Sequence, residues 1–374
     1  MNRRIILLVF LLFRLFVVAA QDTSETRLQS VSGAEKVDLL NRYAETDAVR
    51  VPARALRYAQ QALALALQLG YEAGQVRAEN NIGEYYINKG RYGTADSSFR
   101  RALGIARSVG DSVAVAQTLS KVAAVNYLRG DYEIALRYAA QALALQKKQG
   151  DARALANTLS LMSHVYSRQG VSEKALRNAL QALRIRRQIG DDNEVAKSLN
   201  ALGEFYLSQT NPRRALHDYL EALRISRKAG NRRGIAASLD KIGSLYVWQE
   251  RYQEALLYLR EAMTISEELA APKLAASVYT HMGEAFMGLN DRKQSFRYLA
   301  AALRVHYTLK NNLDMVPTLN AMGRLHARQG DPKTALSYHY QALALVEDSQ
   351  WRLMRRDTYK ALSDTYLAID DSPN

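Results

Sequence analysis

The sequence predicts an all-α fold: a solenoid of about eight helix-turn-helix repeats followed by one extra C-terminal helix. Three observations predict it. Written in rows of forty, the 374-residue chain aligns without a gap from about residue 71 to its end, and partly from residue 51. One column then reads Ala62, Ala102, Ala142, Ala182, Ala222, Ala262, Ala302 and Ala342, and the next is leucine throughout except for Met263. Glycines recur between the apolar stretches, while a composition rich in Ala, Leu, Arg, Gln and Tyr with only six prolines favours helix over sheet.

The N-terminus, MNRRIILLVFLLFRLFVVAAQDTS, has a basic start, an apolar core and small residues before Gln21, the pattern of a secretory signal peptide covering residues 1–20. An N-terminal membrane anchor is the alternative. The run is short for a span of about 20 residues, and Arg14 near its middle opposes insertion by roughly 2.5 to 3.5 kcal/mol. The expectation is an exported protein, periplasmic or secreted. Removal of this segment with its three arginines lowers the formal charge from +14 to +11, which invites anionic partners. Cysteine is absent, so the chain offers no disulfide framework, thiolate metal site or lipid-modified cysteine.

Residues 21–33 are polar and read as a flexible lead. The solenoid then occupies residues 34–370, in rows 34–70, 71–110, 111–150, 151–190, 191–230, 231–270, 271–310 and 311–350, with a half row 351–370 and a tail 371–374. Within a row, Gly70, Gly110, Gly150, Gly190 and Gly230 close the second helix, and Asp111, Asp151, Asp191, Asn231 and Asn311 cap the next one. A second small column, Ala55 to Ala335 with Ser295, lies seven residues before the first, on the same helical face. In the first helices a large residue stands beside a small one, as in Ile82-Gly83 and Leu202-Gly203. A ring follows three residues on, at Tyr86, Tyr166, Tyr206, Tyr246, Phe286 and Tyr366, with Asn126 and His326 breaking the series. The first row has a short first helix and Pro52 near the start of its second, where proline is tolerated, so it reads as an N-terminal cap.

The pattern resembles the tetratricopeptide repeat family, whose Leu-Gly, then Tyr, then Ala, then aromatic signature is matched in order by LGEFYLSQTNPRRALHDYLEALRI, Leu202 to Ile225. The resemblance spans roughly residues 36 to 370. The rows depart from the family pattern of about 34 residues by running to forty, by carrying Leu119, Leu159, Leu199, Leu239 and Leu319 where Trp is typical, and by lacking the closing proline; longer helices explain all three. The resemblance, which extends to repeat regions of bacterial envelope and signalling proteins, implies a right-handed superhelical solenoid. Its first helices line a concave groove, and their outward residues meet a ligand. The half row reads either as a solvating end helix or as the mark of a shortened relative of envelope sensors. Self-association through its open face is a further expectation.

Two groove columns follow from that implication. Asn80, Ser120, Ser160, Asn200, Asp240, Thr280 and Asn320 are small and polar, with amides suited to an extended peptide backbone. One turn on, Glu84, His164, Glu204, Glu284 and Arg324 carry charge of uneven sign. A basic stripe runs along the second helices at Arg107, Lys147, Arg184, Arg187, Arg224 and Arg227, where cations also oppose the helix macrodipole; it is the candidate surface for anionic lipid, acidic protein or polyanion.

No catalytic constellation emerges. The six histidines are scattered, no two at the i, i+4 spacing of a helical metal site, and neither a phosphate-binding loop nor a nucleophile elbow occurs. The expectation is a non-enzymatic scaffold or adaptor without cofactor or metal that grips a protein or peptide segment. The alternative is a sensory or regulatory module whose output domain is missing or on another chain. Nucleic acid is disfavoured because export removes the usual nucleic acids and the basic stripe lacks interleaved aromatics.

Overall fold

The computed structural model describes residues 26–48, 51–309, 312–347 and 352–370. The segment 1–20, residues 21–25 of the lead, the cap Asn311 and the tail lie outside them. Every described element is helical, and no strand occurs among the described residues. The chain divides into two compact units, one ending at Leu161 and the other beginning at Met162.

The first unit contains α1 (Gly33–Asp47), α2 (Pro52–Gln68), α3 (Glu72–Asn88), α4 (Tyr92–Ser108), α5 (Ser112–Arg129) and α6 (Tyr132–Gln149). Helix α7 (Ala152–Arg168) carries the division between the units. The second unit continues with α8 (Ser172–Gln188), α9 (Asp192–Ser208), α10 (Pro212–Lys228), α11 (Arg232–Trp248), α12 (Tyr252–Glu268), α13 (Pro272–Gly288), α14 (Arg292–Leu309), α15 (Asn312–Arg328), α16 (Pro332–Val346) and α17 (Arg352–Asp370). Odd-numbered helices are the first and even-numbered helices the second of each successive helix pair.

The helix ends follow from local chemistry. Asp111 accepts hydrogen bonds from the amides of Val113 and Ala114, Asp151 from Ala154, Asp191 from Glu194 and Asn231 from Gly234. Asn211, Asp291 and Asp331 cap the second helices in the same way. Pro52 occupies the first turn of α2, where its missing N–H costs no hydrogen bond. Among the described residues, glycine takes the left-handed conformation in ten places and Thr210, Glu250, Ala270 and Asn290 in four, these four with φ between 46° and 62°.

Packing explains the invariant small columns. The eight alanines of the column that runs at forty-residue steps from Ala62 to Ala342 are 0–1% exposed. The glycines of the first helices have an equally strict reason: a Cβ at Gly203 would stand 2.3 Å from the Tyr219 ring, and one at Gly83 2.4 Å from Phe99. Each such glycine receives a side chain sixteen residues later on the second helix of its row. Around these contacts, Tyr219, Leu239, Ile242, Leu245, Leu259 and Met282 form one continuous core in the second unit. In the first unit, Phe99, Leu103, Leu119, Val122 and Val125 do the same.

Both breaks in the ring series have a structural reason. His326 keeps the stacking role, lying 5.5 Å from the Tyr338 ring as Phe286 does from Tyr298. Asn126 is buried and donates to the Asp96 carboxylate at 2.9 Å; Asp96 itself stands where the other rows carry an apolar residue, leucine in all but Phe296.

Residues 26–30 differ from the flexible lead expected there. They form a helical turn, and Leu28 is 9% exposed against Val37, Leu40 and Tyr58, because one apolar side chain in a polar stretch suffices to dock it. At the other end, Tyr359 is 48% exposed although Leu119, Leu159, Leu199, Leu239 and Leu319 of its column are fully buried, and Tyr366 is 45% exposed. Among the described residues no second helix of its own row covers α17.

Candidate functional site

The polar column of the first helices is engaged between repeats. The Asn80 side-chain amide donates to Thr118 Oγ1 at 3.2 Å, and Ser120 bonds Thr158 at 3.3 Å. Asn200 donates to Ser238 at 3.0 Å, Thr280 bonds Thr318 at 2.7 Å, and Asn320 donates to Thr358 at 2.9 Å. Each bond joins residues thirty-eight apart, which is one repeat less half a turn, so the column stitches consecutive first helices together. One amide N–H expected to meet a peptide backbone is therefore already engaged between repeats at each of Asn80, Asn200 and Asn320. Position 8 of the rows, with Thr118, Thr158, Ser198, Ser238, Thr318 and Thr358, was the sequence signal for this seam. Ser160 shares the column and is half-buried.

Asp240 is the exception. It is 2% exposed, and its carboxylate accepts from Ser277 Oγ at 2.8 Å and from His281 Nδ1 at 2.8 Å, both on α13. Burial alone would raise its pKa, but His281, Lys241 and Ser277 outweigh that and hold it below the usual carboxylate range. Burial likewise pulls His281 down, and the Asp240 charge with its hydrogen bond reverses the sign, so the imidazole titrates above its ordinary value. His281 thus engages the Asp240 carboxylate through Nδ1.

The charged column one turn on forms cross-repeat ion pairs. Glu84 pairs with Lys121, Glu204 with Lys241, and Glu284 with Arg324. Lys241 is held above its ordinary pKa because Glu204 and Asp240 overcome the burial that would lower it. His164 is exposed on α7. Lys121, Lys241 and His281 were not singled out from the sequence, although they are the charged members of a column otherwise containing Asn81, Leu161, Ala201, Ala321 and Ala361.

The basic stripe lies on exposed faces of the second helices, and half of it is partnered. Arg187 donates to Glu221 at 2.8 Å, Arg227 to Glu261 at 3.0 Å and Arg107 to Gln141 at 3.4 Å, each thirty-four residues on. Lys147, Arg184 and Arg224 are exposed. Next to this ladder His217, Asp218 and Glu221 bring ligand-type atoms within 4.8 Å of one another on α10; the group is surface-exposed at His217, and Glu221 already holds Arg187. A cleft of ≈ 860 Å³ in the first unit lies between residues 28–36 and α2, lined by Leu28, Lys36, Arg57, Tyr58 and Leu65 among others. Among the described residues no helix is long and apolar enough to cross a membrane.

With this geometry in view, the sequence matches the tetratricopeptide repeat family over residues 74–148, 114–188, 154–228, 194–268 and 274–348, well over half of the chain. The chain belongs to the tetratricopeptide repeat family. Among curated proteins no sequence matches it. Similar solved structures include the apo quorum sensor NprR from B. thuringiensis, with 13% identity over 89% of this chain and 94% of that one at a TM-score of 0.59. The Rap conjugation gene regulator of the plasmid pLS20, in complex with the Phr peptide, has 15% identity over 89% and 99% at 0.57. Aspartyl phosphate phosphatase F from Bacillus subtilis has 13% identity over 78% and 76% at 0.64. At these identities the likeness establishes the tetratricopeptide solenoid fold, and the chemistry of this repeat protein rests on its own side chains.

Proposed function

We propose that this chain is a non-catalytic scaffold that binds a peptide or protein segment along the outward face of its first helices, working outside the cytoplasm. The observation that carries the reading is the first-helix face of α9 to α15. There a buried carboxylate, Asp240, fixes His281, while Lys241 and Arg324 are positioned by acids from neighbouring repeats. Such a face presents hydrogen-bonding groups in fixed geometry without a nucleophile and base arranged for chemistry. Peptide binding by the pLS20 Rap regulator supports the same use of a similar fold. The export expectation rests on the residues 1–20 pattern.

A sensory role is favoured as second reading by the likeness to the quorum sensor NprR, in which ligand capture would be passed to an output partner. Affinity capture from envelope extract with residues 21–374 as bait tests both readings. The expected result is a partner retained by the native bait and lost by a folded Lys241→Ala/His281→Ala bait. Equal retention by both baits would remove the first-helix face from consideration, and the exposed Arg184 and Arg224 surface would be mutated next.

A further inference from the structure

Trp248 ends the outward face of α11, on which Lys241, Ser244 and Trp248 recur at i, i+3 and i+7. Its side chain is 55% exposed, an unusual position for the largest apolar residue. The reason lies in its neighbours. At the same level the adjacent first helices carry Ser208 on α9 and Gly288 on α13, and a Cβ at Gly288 would stand 2.2 Å from the Tyr252 ring. The residues at these two positions are a serine and a glycine, and the indole is more than half exposed.

One end of the same face is electropositive at its surface. In the Arg324–Glu284 pair the guanidinium is 41% exposed and the acid 21%; in the His281–Asp240 pair the order is the same, with the carboxylate beneath. Arg328, one turn beyond Arg324, is exposed and donates to the Met287 carbonyl at 3.2 Å. Toward α9 the order reverses, because Glu204 stands farther out than Lys241. The guanidinium of Arg324 uses one edge on Glu284 and retains further N–H donors for a second carboxylate.

We propose that the outward face of α11, α13 and α15 binds a peptide segment carrying a carboxylate and an aromatic side chain about four residues apart, the carboxylate on Arg324 and His281 and the ring on Trp248. This deepens the scaffold reading and rests on it. The spacing follows from helix geometry: seven residues separate the levels of His281 and Gly288, about 11 Å at 1.5 Å per residue, and with the step of about 9 Å between the axes of α11 and α13 the separation is about 14 Å, which an extended chain covers in about four residues. The polarity follows from the charges: an acid is attracted toward α13 and α15 and repelled from Glu204.

The test uses the full chain carrying Trp351→Phe, which leaves Trp248 as the sole tryptophan. The probes are blocked Gly/Ser octapeptides with one Asp and one Phe placed one to six residues apart, and a matched set with Lys for Asp. The expected result is a saturable change in Trp248 emission, strongest at a spacing of about four. Affinity should fall about tenfold on Arg324→Gln and be lost with the Lys peptides. Arg328→Gln serves as second variant where circular dichroism shows Arg324→Gln to be unfolded, and Trp248→Ala is followed by calorimetry. Equal binding of the Lys set, or undiminished binding by the folded arginine and tryptophan variants, overturns the proposal while leaving peptide capture intact. No binding by either set at millimolar peptide also overturns it, and the capture experiment then decides the scaffold reading separately.

Discussion

His281 Nδ1 lies 2.8 Å from the Asp240 carboxylate, joining α13 to α11 through a buried charge. The pair binds a proton differently when folded. His281 titrates above its unfolded value, so its contribution is complete below about pH 6.5 and fades as pH rises through the folded pKa. Asp240 titrates below its unfolded value, so its contribution is present above about pH 3.9 and fades as pH falls through the folded pKa. A melting series from pH 3 to 9 should therefore peak between those limits, and His281→Gln should flatten the alkaline limb. Because the substitution leaves Asp240 buried without its cation, the loss near pH 6 should be about 3 kcal/mol. A variant that melts like the native chain at every pH would show that the pair contributes nothing.

The inter-repeat seam makes a second prediction. Asn200 uses its amide on Ser238, and two rows later Thr280 on Thr318 serves the same purpose with hydroxyls. Asn200→Ala should cost about 1 kcal/mol in urea denaturation, and Asn200→Thr substantially less. Equal losses would mean that shape, not the hydrogen bond, governs the column.

Four residues without glycine's freedom occupy left-handed positions. Glu250, at φ 61°, is exposed and stands where Gly90, Gly130, Gly170 and Gly330 occur in other rows. Glu250→Gly is expected to stabilise the second unit by about 1 kcal/mol, read as a raised Tm. An unchanged or lowered Tm would indicate that glycine's unfolded-state entropy outweighs the relief.

Asp96 and Asn126 replace an apolar residue and a ring at facing positions of α4 and α5. Asn126→Leu alone removes a partner from a buried carboxylate also served by Arg100 at 2.6 Å, and should cost about 2 kcal/mol. Asp96→Leu with Asn126→Tyr restores the pattern of the other rows and should recover most of that loss. A double-mutant cycle reporting no coupling would refute the assigned contact.

How much of this was legible follows from what a column can encode. The forty-residue period, the buried alanines and the glycine and Asp caps are properties of one helix and its turn, repeated often enough that chance is excluded. The sequence by itself thus determined the class of fold, the rows and their order. It also placed Asn200, Asp240 and Glu284 on one face of their helices, because 3.6-residue periodicity fixes facing. What that face touches depends on the small offset between successive first helices, which no periodicity reports. Only the tertiary structure decided that the Asn200 amide meets Ser238, that Asp240 holds His281 one repeat on, and that Trp248 is left more than half exposed. The physical reason is that hydrogen bonds and ion pairs are settled over a few ångströms, while a sequence pattern resolves only which side of a helix a residue is on.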